Sequence, residues 1–526
     1  MPRVAGPPEE RIITLESRGP LTLWITGDQL SPANGALRDA DPATTIVLLV
    51  ESLGRGAERP YHKRRLVLIY AAMRGYAADL RARGFTVDYR AEADDDATGF
   101  AAHVRAHAPR GVRMMRQTTY GLDASLREIA ASHGLPVEIV PHTNFLSTGE
   151  EFDALFARGQ RRVTMETFYR KMRVKTGLLM EGREPAGGAW NFDHDNRKRV
   201  PKGTTFPPPY VPQPSAFVRE AIALVERHFP HHPGRIGVWD LPVTRAEALA
   251  FADDFFAHRL DGFGPFEDAM LTGELRLNHS RLSAAINIGL LHPLELCERA
   301  ELAYRSGTAR LASVEGFIRQ LIGWQEFIWQ TYWRFMPEYR TRNTLGAHAP
   351  VPAHYLTGET DMFCQREALS HVLDYGWAHH IERLMILGNF GLLAGIEPQA
   401  LTDWFWQMFV DGWDWVMVPN VIGMTLHADG GIVGTKPYAA SANYIDSMSD
   451  YCSKCAYDPK KAVGEDACPY NALYWDFMAR NERAFRANVR MAMPLRTWDA
   501  KPEEQRSAIR ARAAHLRRAL ADGTRI

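Results

Sequence analysis

Three of the five cysteines in this chain fall in one short segment, YCSKCAYDPKKAVGEDACPYNALYWDF, from Tyr451 to Phe477. Cys452 and Cys455 form C-x2-C, and Cys468 follows after twelve residues, directly before Pro469. A C-x2-C turn can place two thiolates on one metal centre, and a Cys-Pro after a loop resembles the end of an iron-sulfur binding run. The spacing fits zinc and a [4Fe-4S] cluster equally. A fourth ligand has to come from elsewhere, which obliges the chain to fold back on itself. Cys364 is the candidate, because Cys297 sits in LELCERA, an amphipathic helical pattern where a buried structural thiol is the ordinary role. The competing reading is a set of unrelated buried cysteines.

Clustering of this kind favours metal ligation over disulfides in a reducing compartment. The N-terminus, MPRVAGPPEERIITLESRG, has no basic start followed by an apolar run, and no segment holds about 18 uninterrupted apolar residues. A soluble protein of the bacterial cytosol, without membrane contact, is expected, with a monomer as the working expectation. At 526 residues the chain exceeds what one core usually organises. Lys plus Arg equals 62 and Asp plus Glu equals 62, so net charge neither favours nor excludes a nucleic-acid partner.

Short apolar runs closed by turn residues, LTLWITGDQL, TTIVLLVES, GFTVDYRAE and GVRMMRQ, alternate with helical patterns such as HKRRLVLIYAAMRGYAADLRARG. Strand alternating with helix predicts a parallel, Rossmann-like α/β sheet over residues 20–150. Residues 151–242 include the proline- and glycine-rich EPAGGAWNFDHDNRKRVPKGTTFPPPYVPQPS and read as an interdomain connector. Residues 243–526 read as a large all-α domain.

Three segments of that helical domain carry candidate chemistry. In LRLNHSRLSAAINIGLLHP, Ser280 and Ser283 flank Arg281 and Leu282 at a helix start, which suits a phosphate or serves only as a cap. DYGWAHHIERLMILGNFGLLAG places His379, His380 and Arg383 in an apolar helix, where a satisfied core histidine competes with a proton donor. LTDWFWQMFVDGWDWVMVPNVIGM packs Trp404, Trp406, Trp413 and Trp415 into twelve residues, either as core or as an electron relay. Asp414 is the candidate acid to pair Arg383, since a buried carboxylate needs a cation. HADGGIVGTKPYAA lacks the G-x-G-x-x-G spacing of a dinucleotide fingerprint.

Together with TMETFYRKMRVKTGLLM, GGAWNFD, LNHSRLS, VEGFIRQLIGWQEF, AHHIERLM, VPNVIGM, GTKPYAAS, YCSKC and ACPYNALYWDF, these segments resemble the photolyase/cryptochrome family. The resemblance is to its bacterial iron-sulfur branch, which includes prokaryotic (6-4) photolyases and related cryptochromes. It implies a helical domain holding FAD and a [4Fe-4S] cluster on Cys364, Cys452, Cys455 and Cys468, in place of zinc. Ser280, Leu282 and Ser283 match the flavin phosphate-binding segment, Arg383 and Asp414 the ion pair beside the flavin ring, and Asn420 the residue near its N5. The implied reaction is light-driven repair of (6-4) pyrimidine-pyrimidone lesions in UV-damaged DNA, with the damaged base flipped out of the duplex. His380 matches the proton donor with His379 beside it, and Gln320, Leu384, Met424 and Tyr438 match lesion-pocket positions. A blue-light photoreceptor of the same branch is the alternative.

Trp404 matches the tryptophan nearest the flavin in the branch's electron route, but Phe405 and Leu356 stand where tyrosine and tryptophan are usual, which leaves Trp406 as a substitute. Met417 and Gln325 replace an acidic residue and an arginine. The branch's antenna, 6,7-dimethyl-8-ribityllumazine, is matched by Asp28, Gln29 and Glu51, whereas Arg55 and Tyr61 depart from the pattern. The basic segment RRVTMETFYRKMRVK, with Arg161, Arg162, Arg170, Lys171, Arg173 and Lys175 against Glu166, is a candidate phosphate contact or a solvated helix. In the C-terminal EEQRSAIRARAAHLRRAL, Ile509, Ala513 and Leu516 form an apolar face.

Overall fold

The run TIVLLVES carries no charge before Glu51 and folds as a central strand, as a parallel strand buried on both faces must. The computed structural model describes residues 19–156 and 164–526. The basic residues Arg161 and Arg162 and the N-terminal MPRVAGPPEERIITLESR lie outside the described residues. Five parallel strands, β1 (Leu21–Trp24), β2 (Thr45–Ser52), β3 (Thr86–Ala93), β4 (Gly111–Met115) and β5 (Val137–Val140), are ordered β3-β2-β1-β4-β5. The first four coincide with the runs named above. The fifth, VEIV, is short and interrupted by Glu138.

Apolar clusters cover both faces. Leu23, Val47 and Leu49 join Val67, Leu68 and Ala71 of α1 (Lys63–Ala82) on one side. On the other, Trp24, Leu48 and Val50 meet Phe100 of α2 (Asp96–His107) and Leu126 and Ala130 of α3 (Leu122–Ser132). The strand order reverses between β1 and β4, so a crevice opens at the carboxyl ends of those strands.

Residues 151–242 are less irregular than their prolines predict. Met165–Thr176 and Ala216–His228 are helices, and between them lie a short antiparallel strand pair, Met180–Glu181 with Glu184–Pro185, and two short 3-10 turns. Ser215 caps the second helix by accepting from Val218 N–H, and Val218, Ala221, Leu224 and Val225 bury their side chains where this helix packs on α1. The α/β layer therefore includes this helix.

From Arg245–His258 onward the chain is helical to Glu503–Ala521. That last helix buries Ile509, Ala513 and Leu516, as their spacing predicts, and packs on Pro469–Arg480 directly after Cys468. Burying Ile509 and Leu516 contributes about 1.5–3 kcal/mol each. Backbone bonds join the two halves: His62 N–H donates to Gln407 O at 2.8 Å. Among the described residues no helix is long and apolar enough to cross a membrane.

Candidate active site and metal centre

Three stretches of the helical domain depart from α-helical spacing: Arg319–Gln325, Glu382–Gly388 and Val418–Thr425 form π-helical turns. Such turns widen the backbone and cluster at functional sites. Here they carry Gln320, Arg383 and Leu384, and Asn420 and Met424 respectively. The last two turns pack together, and closely: a Cβ on Gly388 would sit 2.4 Å from Thr425 Cγ2. Gln320, Leu384, Met424 and Tyr438 are each half-buried, as side chains lining a pocket are. Tyr438 lies in the field of Asp193 and Arg197, and Asp193 in turn accepts from Arg319 Nη2 at 2.9 Å, one residue before Gln320.

The expected partner of Arg383 is corrected. Arg383 donates through both terminal nitrogens to Asp411, at 2.9 and 3.0 Å. Asp411 also accepts from Ser283 Oγ at 2.6 Å, and its backbone carbonyl accepts from Asn287 at 2.9 Å. Asp414 is engaged elsewhere: Tyr332 donates its hydroxyl to it at 2.5 Å and Arg340 pairs with it. The two acids sit three residues apart around Trp413, where the helix beginning at Asp414 turns them to different sides. Asp411 thus ties the LNHSRLS segment to the His379–Arg383 turn. Arg281, between the two serines, adopts a left-handed backbone (φ 57°) and turns its guanidinium to Asp240, which Arg64 and Arg276 also pair. Leu282 is buried, and Asn420 donates its side-chain amide to Val416 O at 2.9 Å.

His379 and His380 gain a third histidine that spacing alone did not single out. His279 of LNHSRLS stacks on His379 with ring centroids 4.8 Å apart and planes at 8°, and meets His380 edge-on at 5.3 Å. Burial holds the His279 and His379 imidazoles far below the ordinary histidine range, with neighbouring histidines adding to it, so both are neutral near pH 7. His379 leaves both ring nitrogens, and His279 its Nε2, without a hydrogen-bond partner. His380 is the accessible member, 48% exposed, with Nε2 3.6 Å from Asp268. Beside Asp268, burial raises the Glu267 carboxyl to about 7, and its Oε2 is unpaired.

The four cysteines come together. Cys364 opens the helix Phe363–Tyr375, Cys452 and Cys455 close a tight turn, and Cys468 precedes Pro469–Arg480. Burial, then the mutual proximity of Cys468, Cys455 and Cys452, pushes the Cys364 thiol well up, and burial raises Cys452 and Cys468 to about 12. Four crowded cysteines, three of them with thiols held above their ordinary range, suit a cationic centre that would convert them to thiolates. Three thiolates on one tetrahedral zinc lie about 3.8 Å apart, from a Zn–S bond of about 2.3 Å. Among the described residues, no group of three ligand atoms within 4.8 Å of one another contains a cysteine. Cys297 is buried alone in Pro293–Arg305. Tyr451, beside Cys452, donates to Glu382 at 2.9 Å, and Glu382 lies 3.1 Å from His371, so the cysteine loop is anchored to the histidine-bearing turn.

The candidate relay residues face apart. Trp404 Nε1 donates to Tyr355 O at 3.1 Å and its ring meets Tyr355 edge-on at 4.9 Å. Trp406, two positions on, packs under Arg59 at 4.3 Å and faces a cavity in the α/β half. Leu356 is exposed.

That cavity, of about 380 Å³, lies at the carboxyl ends of β1 and β4, where the strand order reverses. Asp28, Tyr61, Arg65, Trp406 and Trp413 line it. Gln29 and Glu51 do not. Gln29 donates to the Arg116 carbonyl, and Glu51, fully buried, accepts a bidentate pair of bonds from Arg74 at 3.0 Å and a third from Tyr89. A carboxylate buried in a strand needs a cation, and Arg74 supplies it.

Among the described residues of the basic segment, three of the four cations are engaged within the protein. Arg173 is buried and donates to the carbonyls of Leu178, Leu179 and Trp190, Lys175 pairs with Glu151, and Arg170 with Glu166. Lys171 remains exposed.

Residues 23–239 match the family model for deoxyribodipyrimidine photo-lyase-related proteins. A (6-4) photolyase of Agrobacterium fabrum is 43% identical over 505 residues, covering 94% of this chain and 99% of that one. An uncharacterised protein of Acanthamoeba polyphaga mimivirus is 35% identical over 121 residues, 23% of this chain and 89% of its own. Among solved structures, a bacterial class III photolyase from Agrobacterium tumefaciens superposes with a TM-score of 0.59 at 16% identity, covering 91% of this chain and 100% of that one, and so shares the fold. The near-complete match to the first of these relatives places the chain in a family: it belongs to the photolyases.

Proposed function

We propose that this protein repairs (6-4) pyrimidine-pyrimidone lesions in DNA under blue light. The observation that carries the reading is the 43% identity, across 94% of this chain, to a relative named as a (6-4) photolyase. Reduced FAD, when bound, supplies the photoexcited electron. The unpaired nitrogens of His279 and His379 and the Asp411-tethered Ser283 and Arg383 fit such a polar, anionic group.

Each residue then has a task. Ser280, Leu282 and Ser283 would hold the flavin's phosphates, and the Arg383–Asp411 pair and Asn420 would supply charge and a polar contact to its ring system. Gln320, Leu384, Met424 and Tyr438 receive the flipped lesion and exclude water around it. His380 gives a proton to the lesion and recovers it, with Asp268, 3.6 Å from its Nε2, orienting the ring. His379 and His279, held neutral, back that proton without competing for it. Cys364, Cys452, Cys455 and Cys468 hold a [4Fe-4S] cluster that pins the C-terminal helices to the histidine-bearing turn. The α/β cavity takes an antenna such as 6,7-dimethyl-8-ribityllumazine, with Asp28 as its polar contact and without Gln29 or Glu51.

A reduced, flavin-loaded sample and its His380→Asn variant, each given an oligonucleotide with one (6-4) lesion, test the reading. Restored bases are expected only in light and only with the unaltered protein. Equal restoration by His380→Asn removes the proton-donor role, and none by either removes the repair assignment.

A further inference from the structure

Far from the helical site, the last turn of α2 faces the edge strand β3 with a set of metal-ligand side chains. His103 and His107 are four apart on that helix, so their rings share a face; the ring centroids are 4.9 Å apart. Opposite them on β3 stands Asp88, whose Oδ2 lies 2.7 Å from His103 Nδ1 and 3.1 Å from His107 Nε2. One ligand atom from each of the three lies within 4.8 Å of the others. Ligands at about 2.0–2.1 Å from a tetrahedral zinc sit about 3.3 Å apart, so the two distances from Asp88 Oδ2 would open by about 0.2–0.6 Å to admit an ion.

The surroundings match an outer shell of a metal site. A ligating histidine commonly gives its second ring N–H to an oxygen, which fixes the ring and its tautomer. His103 Nε2 lies 2.7 Å from Thr22 Oγ1 on β1, and both residues are fully buried. Arg90 donates to Asp88 at 2.6 and 3.0 Å, the kind of bond that holds a ligating carboxylate in place. His107 is partly exposed, which leaves an entry path and a fourth position open to water.

We propose that Asp88, His103 and His107 form a divalent transition-metal site of the zinc type, two imidazoles and one carboxylate with one open position, that clamps α2 to the edge strand. On binding, His103 Nδ1 and His107 Nε2 give lone pairs to the ion, and the single proton of the neutral His103 ring, held at Nδ1 toward Asp88 before the ion enters, moves to Nε2, where Thr22 Oγ1 accepts it.

The holoprotein is dialysed against zinc chloride and then against metal-free buffer, and zinc is counted separately from iron. One zinc per chain is expected in the unaltered protein and none in His107→Ala, with repair unchanged in both. Zinc should also raise the melting temperature of the unaltered protein and leave that of His107→Ala unmoved. Thr22→Val should weaken zinc binding about tenfold or more while all three ligands stay in place. Absence of retained zinc in the unaltered protein, or equal retention in His107→Ala, would mean a hydrogen-bond cluster only and would overturn the site. Counting zinc in Cys455→Ser separates this site from zinc captured by the cysteines, since its zinc should not fall.

Discussion

Replacing Asp411 by Asn tests which acid serves Arg383. The Asp411 carboxylate accepts two bonds from Arg383 and one from Ser283, and it is 5% exposed while the Arg383 side chain is 20% exposed. Asparagine keeps the shape but turns one acceptor into a donor, which faces a guanidinium or a hydroxyl already donating. Breaking a buried pair by removing one partner costs about 3–5 kcal/mol. The lower end applies because water reaches Arg383, and about 3 kcal/mol is on the order of a hundredfold in an equilibrium. The matching assay is a flavin titration of cofactor-stripped protein followed by fluorescence quenching. Asp411→Asn should weaken flavin binding on the order of a hundredfold, whereas Asp414→Asn, which loses its bonds to Tyr332 and Arg340, should change it less than tenfold. Binding within threefold of normal in Asp411→Asn, with the large loss in Asp414→Asn, would refute the pairing argument.

The remaining expectations concern the cysteines, the relay and the buried histidines. Cys364→Ser should yield protein depleted in iron and colour, with the helix Glu503–Ala521 cut early by protease; full iron content would contradict the four-cysteine centre. Trp404→Phe should slow photoreduction of bound flavin at least tenfold while Trp406→Phe leaves it within twofold, measured by bleaching under blue light with a reductant; the reverse order would put the route through the α/β cavity. His279 and His379 have folded pKa values below the unfolded value of about 6.5, so the unfolded chain binds more protons as the pH falls. The stability they contribute is complete above about pH 6.5 and is lost below it, at about 1.4 kcal/mol per pH unit for each neutral histidine. Melting series from pH 7.5 to 5 should therefore show a shallower acid loss in His379→Gln, and identical slopes would show that His379 is charged when folded.

Chemistry that resides in a local spacing could be read along the chain. C-x2-C, Cys-Pro, LNHSRLS and AHHIERLM singled out the cysteines, the serines and the histidines as candidates because each motif is a few residues long. Features that depend on three-dimensional pairing could not. Asp411 and Asp414 are both plausible partners of Arg383 until the chain's turn at Trp413 sends one to Arg383 and the other to Arg340. Glu51 looked available until Arg74, from the neighbouring helix, took both of its oxygens. His279 carried a clear signal, a histidine between the asparagine and serine of LNHSRLS, but its stacking on His379 spans a hundred residues of chain. The π-helical turns leave no trace in a 3.6-residue pattern, and the helix Ala216–His228 was hidden by the prolines before it.

The most direct measurement of the central claim compares two lesions side by side. Reduced, flavin-loaded protein is illuminated with oligonucleotides carrying either one (6-4) lesion or one cyclobutane dimer, and restored bases are counted by chromatography. The account predicts light-dependent restoration of the (6-4) substrate, at least tenfold faster than that of the dimer and abolished in His380→Asn. Restoration of the dimer alone, or of neither substrate at saturating light with flavin bound, would contradict it.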